Sequence, residues 1–217
     1  METFDAIVVG LGAHGSAAAA ALARRGLTVL GLERFPRGQA RGSSGGWSRM
    51  IRLAHYERPW LVPLAAESWD AWQRLEAETG TSILTETGGL YGGPPGSPIL
   101  AGALESVGDH RLAFEVLDAA EIHARWPIFT FADDTTAILE AKAGALRADR
   151  AIAAQLAVAE RHGAVLTFET WVTGWRSPTG GGFVVDDRAG RVVGAEHLVL
   201  TAGPWLGSLV PDLGLPL

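Results

Sequence analysis

Residues 7–33 read IVVGLGAHGSAAAAALARRGLTVLGLE, and this stretch decides the fold. The apolar and partly β-branched run at its start is typical of a strand that is buried on both faces of a parallel sheet. The alanine-rich residues from Ala13 to Arg25 favour a helix, Gly26 is placed to end it, and residues 27–32 predict a second buried strand. A strand, a glycine turn, a helix and a strand in direct succession predict a Rossmann-like α/β fold.

The glycine turn has the spacing G-x-G-x-x-G at Gly10, Gly12 and Gly15. In such a turn the first glycine permits the tight bend, the second lets backbone amides reach a pyrophosphate, and the third lets the helix pack closely on the strand. The amides that open the helix, at Ala13 and His14, would then hold the phosphates together with the helix dipole. The turn therefore predicts a dinucleotide site.

An acidic residue, Glu33, follows the second predicted strand. A carboxylate at this place accepts hydrogen bonds from the ribose hydroxyls of adenosine and disfavours a 2′-phosphate, so NADP is the least suitable ligand. Arg34 beside it is a further candidate contact. FAD and NAD both satisfy these features, and a second glycine and serine turn at Gly42, Ser43 and Ser44 favours FAD because it brings more amides to a long cofactor.

Composition and charge exclude several other classes of function. The chain of 217 residues has a formal net charge of -6, which repels nucleic acid and anionic membranes. It has no cysteine, and its six histidines make no metal-ligand spacing, so no metal site is predicted. The acidic start and the glycine-interrupted first apolar run fit neither a signal peptide nor a membrane span, and a cytoplasmic location is expected.

Beyond residue 33 the simple alternation of strands and helices is interrupted. A loop rich in glycine, serine and arginine comes first, then a helix over 60–76 and a hairpin over 81–94 that turns at Gly88-Gly89. Regular pattern returns with a helix over 149–162 and strands over 165–168, 183–186, 191–193 and 197–201. We expect a discontinuous nucleotide-binding lobe, residues 1–80 and 141–217, with part of a second lobe of mixed type inserted at 81–140.

Five segments together resemble a known family over nearly the whole chain. They are DAIVVGLGAHGSAAAAALARRGLTVLGLERF at 5–35, GSSGGWSRMIRLAHYE at 42–57, AEIHARWP at 120–127, AGALRADRAIAAQLAVAERHGA at 143–164 and LVLTAGPW at 198–205. The chain resembles the N-terminal half of the monomeric sarcosine oxidase and N-methyltryptophan oxidase group, within the FAD-dependent D-amino-acid-oxidase-like oxidoreductases. The resemblance implies that residues 1–80 and 141–217 form a Rossmann-like FAD-binding lobe and that 81–140 are part of an inserted, incomplete antiparallel-sheet substrate lobe.

The resemblance implies a chemistry and its partners. The expected reaction is oxidation of the C–N bond of a secondary amine or N-methyl amino acid, with FAD as cofactor and molecular oxygen as acceptor, giving hydrogen peroxide. Two further hypotheses stay open from the residues alone, an NAD-linked dehydrogenase and a non-catalytic dinucleotide-binding remnant. Since the resembled enzymes continue well beyond residue 217, the chain is expected to be an N-terminal fragment or a half-protein that has lost activity.

The resemblance also implies roles for residues outside the glycine turn. Ser43, Ser44 and Arg49 match the loop that lies against the flavin, and Arg52 matches the arginine that pairs with the substrate carboxylate. Arg49 and Arg52 are therefore the candidate catalytic residues, and Arg offers a planar fork that suits a carboxylate.

Further matches lie on the cofactor and beside the substrate arginine. Val172 matches a backbone contact to adenine, and the turn that closes over the cofactor is matched by Ala202, Gly203 and Trp205. Tyr56, close to Arg52 in sequence, is a candidate substrate contact. Gly45 stands where the resembled enzymes carry a histidine.

Overall fold

The computed structural model of the chain describes residues 1–211. In chain order the strands are β1 (Glu2–Val9), β2 (Val29–Leu32), β3 (Arg49–Arg52), β4 (Leu84–Glu86), β5 (Gly89–Gly93), β6 (Phe114–Asp118), β7 (Thr136–Glu140), β8 (Ala143–Leu146), β9 (Val165–Thr167), β10 (Val172–Arg176), β11 (Phe183–Asp187) and β12 (Val192–Leu200). The helices are α1 (Ala13–Arg24), α2 (Val62–Thr79), α3 (Pro98–Asp109), α4 (Ala119–Arg125), α5 (Ala148–Arg161) and α6 (Leu206–Leu209).

The chain forms two compact units. The first consists of Met1–Trp47 and the chain from Ala148 onward, and the second is Ser48–Arg147. This division differs from the expected lobes, which place residues 48–80 and 141–147 with the first unit. The physical reason is that β3 and β4 both pair with β8 and that α2 packs on β3 and β4, so residues on both sides of the expected insertion share a sheet and a helix with it.

The first unit is built on a six-stranded sheet in the order β10-β11-β12-β1-β2-β9. Strands β12, β1, β2 and β9 are parallel, whereas β10, β11 and β12 form an antiparallel meander. The apolar runs that predict β1 and β2 provide the core of this sheet, where Ile7, Val9, Leu30 and Leu32 are buried. The Rossmann-like α/β prediction is thus confirmed.

Helices α1 and α5 pack together beside the parallel strands. The buried residues of α1 are small, so the two helices can approach closely, and Ser16 Oγ donates a hydrogen bond of 2.6 Å to Gln155 Oε1. Gly26, with φ of +83°, follows the end of α1 in the left-handed region, as the sequence predicts.

Strand order reverses beside β1. The chain proceeds from β1 through α1 to β2 and later to β9 on one side, while β12 lies on the other side of β1. In open α/β sheets, ligands bind at the carboxyl ends of the strands where the order reverses in this way. The topology therefore points to the residues that directly follow β1, β2 and β12.

The second unit contains two three-stranded antiparallel sheets, β3-β8-β4 and β5-β7-β6. The predicted hairpin over 81–94 is wrong, because β4 pairs with β8 and β5 pairs with β7. Gly88, with φ of +71°, turns the chain out of the first of these sheets and into the second. The amides of Thr87 and Gly88 donate to the carbonyl of Ala143 at this crossing.

Several other elements differ from the sequence expectation. Strands β3, β8 and β10 were not predicted, and the two strands expected at 191–193 and 197–201 are one continuous strand, β12. Within residues 1–211, no helix combines the length and the apolar character that crossing a membrane requires.

Candidate functional site

A cleft in the first unit lies at the carboxyl ends of β1, β2 and β12. It holds about 780 Å³ of space free of protein atoms, the open mouth included. The predicted residues that line it are Gly10, Gly12, Ala13, His14, Glu33, Arg34, Gly42, Ser43, Ser44, Val172, Ala202, Gly203 and Trp205. Residues from four distant parts of the sequence therefore meet at one place.

The three glycines of the turn have different surroundings. Gly10 has φ of +91°, and a Cβ there would lie 2.6 Å from the carbonyl oxygen of Thr201. A Cβ on Gly15 would lie only 1.7 Å from the carbonyl oxygen of Gly10, so Gly15 stands behind the turn rather than in the cleft wall. A Cβ on Gly12 would meet only Ser44 Oγ, at 3.8 Å, which leaves the approach to the amides open.

The amino end of α1 faces the cleft. Gly12 is its N-cap residue, and the amide of Ala13 donates to Ser44 Oγ at 3.3 Å. Backbone amides at a helix start carry partial positive charge and have no acceptor within the helix. The serine loop and the helix start thus bring hydroxyl and amide donors together, as binding of a diphosphate requires.

Glu33 lies at the cleft with only 7% of its surface exposed. Its Oε2 accepts a hydrogen bond of 2.7 Å from the amide of Leu11, and Oε1 accepts one of 3.1 Å from the amide of Phe35. The carboxylate therefore ties the glycine turn to the end of β2. Sequence reasoning predicted a ribose contact for Glu33 and missed this tie, which no local pattern encodes.

Aromatic rings and arginines gather at one side of the cleft. The Arg34 guanidinium lies 3.6 Å from the ring centroid of Trp171, and the rings of Phe35 and Trp205 meet edge to face with centroids 5.0 Å apart. Trp171 and Phe35 line the cleft but were not predicted as site residues. Both could have been proposed from the sequence, because each is adjacent to a predicted site residue: Trp171 precedes Val172 and Phe35 follows Arg34. Such flat surfaces suit a planar group.

Gly45 has no room for a side chain. A Cβ at this position would lie 2.2 Å from the carbonyl oxygen of Ala40, and the amide of Gly45 donates to the carbonyl of Gly42. The loop in this chain is therefore shaped around a glycine at position 45.

Arg49, Arg52 and Tyr56 belong to the second unit. Arg49 and Arg52 are the first and last residues of β3, and Arg49 Nη1 donates to the carbonyl of Ser48 at 2.6 Å. The Arg52 side chain is 14% exposed, and its guanidinium lies 4.5 Å from the ring centroid of Tyr56.

Arg52 already holds a carboxylate. Its Nη2 donates to both carboxylate oxygens of Glu57 at 2.6 Å. Burial disfavours the charged guanidinium, but the Glu57 carboxylate outweighs this effect and holds the pKa of Arg52 above its ordinary value. Burial, together with the charge of Arg52, lowers the pKa of His55 nearby, which favours its neutral form. The surroundings of Arg52 therefore suit a carboxylate beside a neutral imidazole.

A buried carboxylate, Glu140, lies at the end of β7 with 1% exposure. Its Oε1 accepts hydrogen bonds of 2.9 Å from the amides of Leu53 and Ala54, and its Oε2 accepts one of 2.8 Å from the hydroxyl of Tyr91. Sequence reasoning missed this residue, although an acid that ends the apolar strand TAILE is a usable signal.

The chain has two tyrosines, and we expect Tyr91 to stay protonated in the folded protein at alkaline pH. Burial, followed by the charge and hydrogen bond of Glu140, raises the pKa of Tyr91 far above its ordinary value of 10.0. In the unfolded chain Tyr91 ionises near that value. The stability that it contributes is therefore complete below about pH 10 and is lost as the pH rises further.

Spectrophotometric titration of the phenolate band checks this expectation. Folded wild-type protein and Tyr91→Phe should give the same alkaline titration, while the loss of stability above about pH 10 should be smaller in the variant. An additional phenolate in the folded wild type would contradict it.

Comparison with known proteins places these features in a family. Residues 5–217 match the family model described as FAD dependent oxidoreductase. The chain is 42% identical to monomeric sarcosine oxidase of Streptomyces avermitilis, an alignment that covers 99% of this chain and 55% of that protein. It is 33% identical to N-methyl-L-tryptophan oxidase of Citrobacter koseri, over 97% of this chain and 56% of the relative.

Solved structures agree. NikD, described as an unusual amino acid oxidase essential for nikkomycin biosynthesis, superposes with a TM-score of 0.87 at 28% identity and covers 99% of this chain and 55% of its own. Glycine oxidase from Geobacillus kaustophilus gives 0.82 at 26% identity, with 100% and 60% covered. The chain spans about half the length of the curated relatives it matches.

Proposed function

The chain belongs to the family of FAD-dependent oxidoreductases, and from this premise we propose that it oxidises the C–N bond of a secondary amine or N-methyl amino acid, with oxygen as acceptor and hydrogen peroxide as product. The observation that carries the substrate class is the Arg52 guanidinium, which is largely buried, flanked by the Tyr56 ring and bonded to both oxygens of a carboxylate. A substrate that bears a carboxylate could take the place of Glu57 there.

The first unit supplies the groups that FAD needs. We assign the pyrophosphate to the amides at the start of α1 with Ser43 and Ser44, and the adenosine ribose to Glu33. The open side of Gly12 supports this assignment, because its missing side chain leaves the amides accessible. When bound, FAD accepts the two electrons and the hydrogen released as the C–N bond is oxidised.

The second unit supplies the groups that a substrate needs. Arg52 would orient the substrate through its carboxylate, and the Tyr56 ring would exclude water from one side of that ion pair. The positive charge of Arg49, at the other end of β3, would stabilise negative charge that develops on the cofactor. His55, whose pKa is lowered, would offer a neutral imidazole rather than a competing cation.

Titration of the purified chain with FAD tests the proposal directly. We expect saturable binding with a shifted flavin absorbance band, anaerobic bleaching of that band by an N-methyl amino acid, and peroxide after oxygen is admitted. Uptake of NAD without uptake of FAD would contradict the cofactor assignment. Binding of FAD with no bleaching by any amine would instead favour the non-catalytic dinucleotide-binding function.

Substitution of Arg52 tests the substrate contact. Arg52→Gln removes the charge-assisted pair, so the affinity for N-methylglycine should fall by about 10- to 100-fold, which calorimetry would measure. Arg58→Gln is the matched control, because Arg58 is an exposed arginine of the same segment and should leave the affinity unchanged. If Arg52→Gln bound N-methylglycine as tightly as Arg58→Gln does, a role for Arg52 in substrate binding would be contradicted.

A further inference from the structure

The backbone that follows Arg52 is fixed from a distance. The amides of Leu53 and Ala54 both donate to Oε1 of Glu140, a residue 87 and 86 positions further along the chain. Leu53 and Ala54 are themselves 5% and 0% exposed, so neither amide could be satisfied by solvent without opening the structure. The first two peptide units after Arg52 are therefore held by one carboxylate.

The same carboxylate also fixes a ring beside the guanidinium. Oε2 of Glu140 accepts from the hydroxyl of Tyr91, and the Tyr91 ring centroid lies 5.9 Å from the Arg52 guanidinium carbon. With the Tyr56 ring at 4.5 Å, two aromatic rings flank the guanidinium. Glu140 thus holds the backbone next to Arg52 through one oxygen and the Tyr91 ring beside Arg52 through the other.

Using a buried carboxylate as the acceptor for two backbone amides has a high desolvation cost. Removing its charge from water costs free energy that three hydrogen bonds must offset, and a backbone carbonyl could accept from the same amides without that cost. What the carboxylate offers beyond a carbonyl is charge-assisted hydrogen bonds, which are about twice as strong as neutral ones, and two oxygens that accept from two separate segments of the chain. This favours a role in geometry over a role in stability.

We propose that Glu140 is a positioning residue for Arg52: by holding the Leu53 and Ala54 amides and the Tyr91 hydroxyl, it sets where the guanidinium presents its donors to a carboxylate. The inference rests on the proposed function in one respect, since the substrate benefits only if Arg52 is its carboxylate partner. The placement of Arg52 itself can be tested without substrate.

Glu57 provides the reporter. The hydrogen bond from Arg52 lowers the pKa of the Glu57 carboxyl, so any displacement of the guanidinium raises that pKa toward its ordinary value. The titration is followed by the carboxyl carbon resonance of Glu57 in the full chain. Arg52→Gln defines the shift that results from complete loss of the pair.

Two substitutions at residue 140 and one control make the test. Glu140→Gln keeps the length of the side chain and a neutral oxygen acceptor for the two amides, but its NH2 group can only donate to the Tyr91 hydroxyl and cannot accept from it. We expect hydrogen exchange of the Leu53 and Ala54 amides to accelerate by about tenfold, and the Glu57 titration to move part of the way to that of Arg52→Gln. Glu140→Ala should move it most of the way. Tyr91→Phe leaves the hydrogen bonds from the Leu53 and Ala54 amides to Glu140 intact. It should therefore change amide exchange and the Glu57 titration less than Glu140→Gln does.

The outcomes separate positioning from a merely structural role. Faster amide exchange in Glu140→Gln with a wild-type Glu57 titration would make Glu140 a structural residue only and would overturn the inference, as would no change in either measurement. If Glu140→Ala does not fold, Glu140→Gln decides alone. A shifted Glu57 titration in a chain whose wild type fails to bind N-methylglycine would sustain the inference while the proposed function fails.

Discussion

Gly15→Ala is expected to reduce FAD affinity by at least about 100-fold and to lower the free energy of unfolding by about 3 kcal/mol. The new methyl group would lie 1.7 Å from the carbonyl oxygen of Gly10 and 2.7 Å from Thr201 Oγ1. Neither neighbour can move away easily, because both are held by hydrogen bonds. Thr201 Oγ1 donates to the Gly10 carbonyl at 2.7 Å, and the Thr201 amide donates to the Val9 carbonyl. The helix start must therefore move away from the strand.

Urea unfolding and FAD titration measure the two effects, and two other glycines serve as controls. Gly174→Ala, in β10, meets no atom within 4 Å and should change neither quantity. Gly12→Ala should change stability by less than about 0.5 kcal/mol, since its methyl group would meet only Ser44 Oγ at 3.8 Å, yet it should weaken FAD binding. A Gly15→Ala protein that binds FAD like the wild type would contradict the assigned phosphate cradle.

Glu33→Ala is expected to lower the free energy of unfolding by about 2–4 kcal/mol and to weaken FAD binding by about 100-fold. The carboxylate accepts from the amides of Leu11 and Phe35, and its removal leaves both without this acceptor in a place that is 7% exposed. The glycine turn then loses its tie to β2, and the adenosine loses its proposed ribose partner.

Glu196→Ala is the matched control for this substitution, because Glu196 is an exposed glutamate on β12 of the same unit. Its unfolding energy should stay within about 0.5 kcal/mol of the wild type. A stability loss in Glu33→Ala without any loss of FAD affinity would limit Glu33 to its structural tie and remove it from the adenosine site.

The parts of the fold that the sequence predicts are those whose signals are local. The glycine spacing, the alanine-rich helix and the acid after the second strand all lie within one short stretch, so hydrophobic period and turn chemistry were sufficient. Strands β3 and β8 were missed because RMIR and AGAL have no alternation of their own. They form because they pair with each other, Arg49 opposite Leu146, far apart in the sequence.

The hairpin prediction failed for the same physical reason. Gly88-Gly89 has the composition of a tight turn, but the partners of β4 and β5 are β8 and β7, so tertiary pairing overrides the local signal. At the sites, local signals could have marked Glu140 and Trp171 as notable residues but not what they contact, because their partners are donors and cations from other elements. Residue type alone does not show which distant group a side chain will meet.

The long pairing of β1 with β12 has a consequence for how the cleft is assembled. The hydroxyl of Thr201 donates to the carbonyl of Gly10 across 191 residues of chain, so this contact beside the proposed diphosphate site forms only long after the glycine turn has been synthesised. Contacts of such sequence separation form slowly, since the entropy of closing the loop must be overcome first. During translation the glycine turn therefore leaves the ribosome long before Thr201, and the proposed cofactor site can be completed only after Thr201 has emerged.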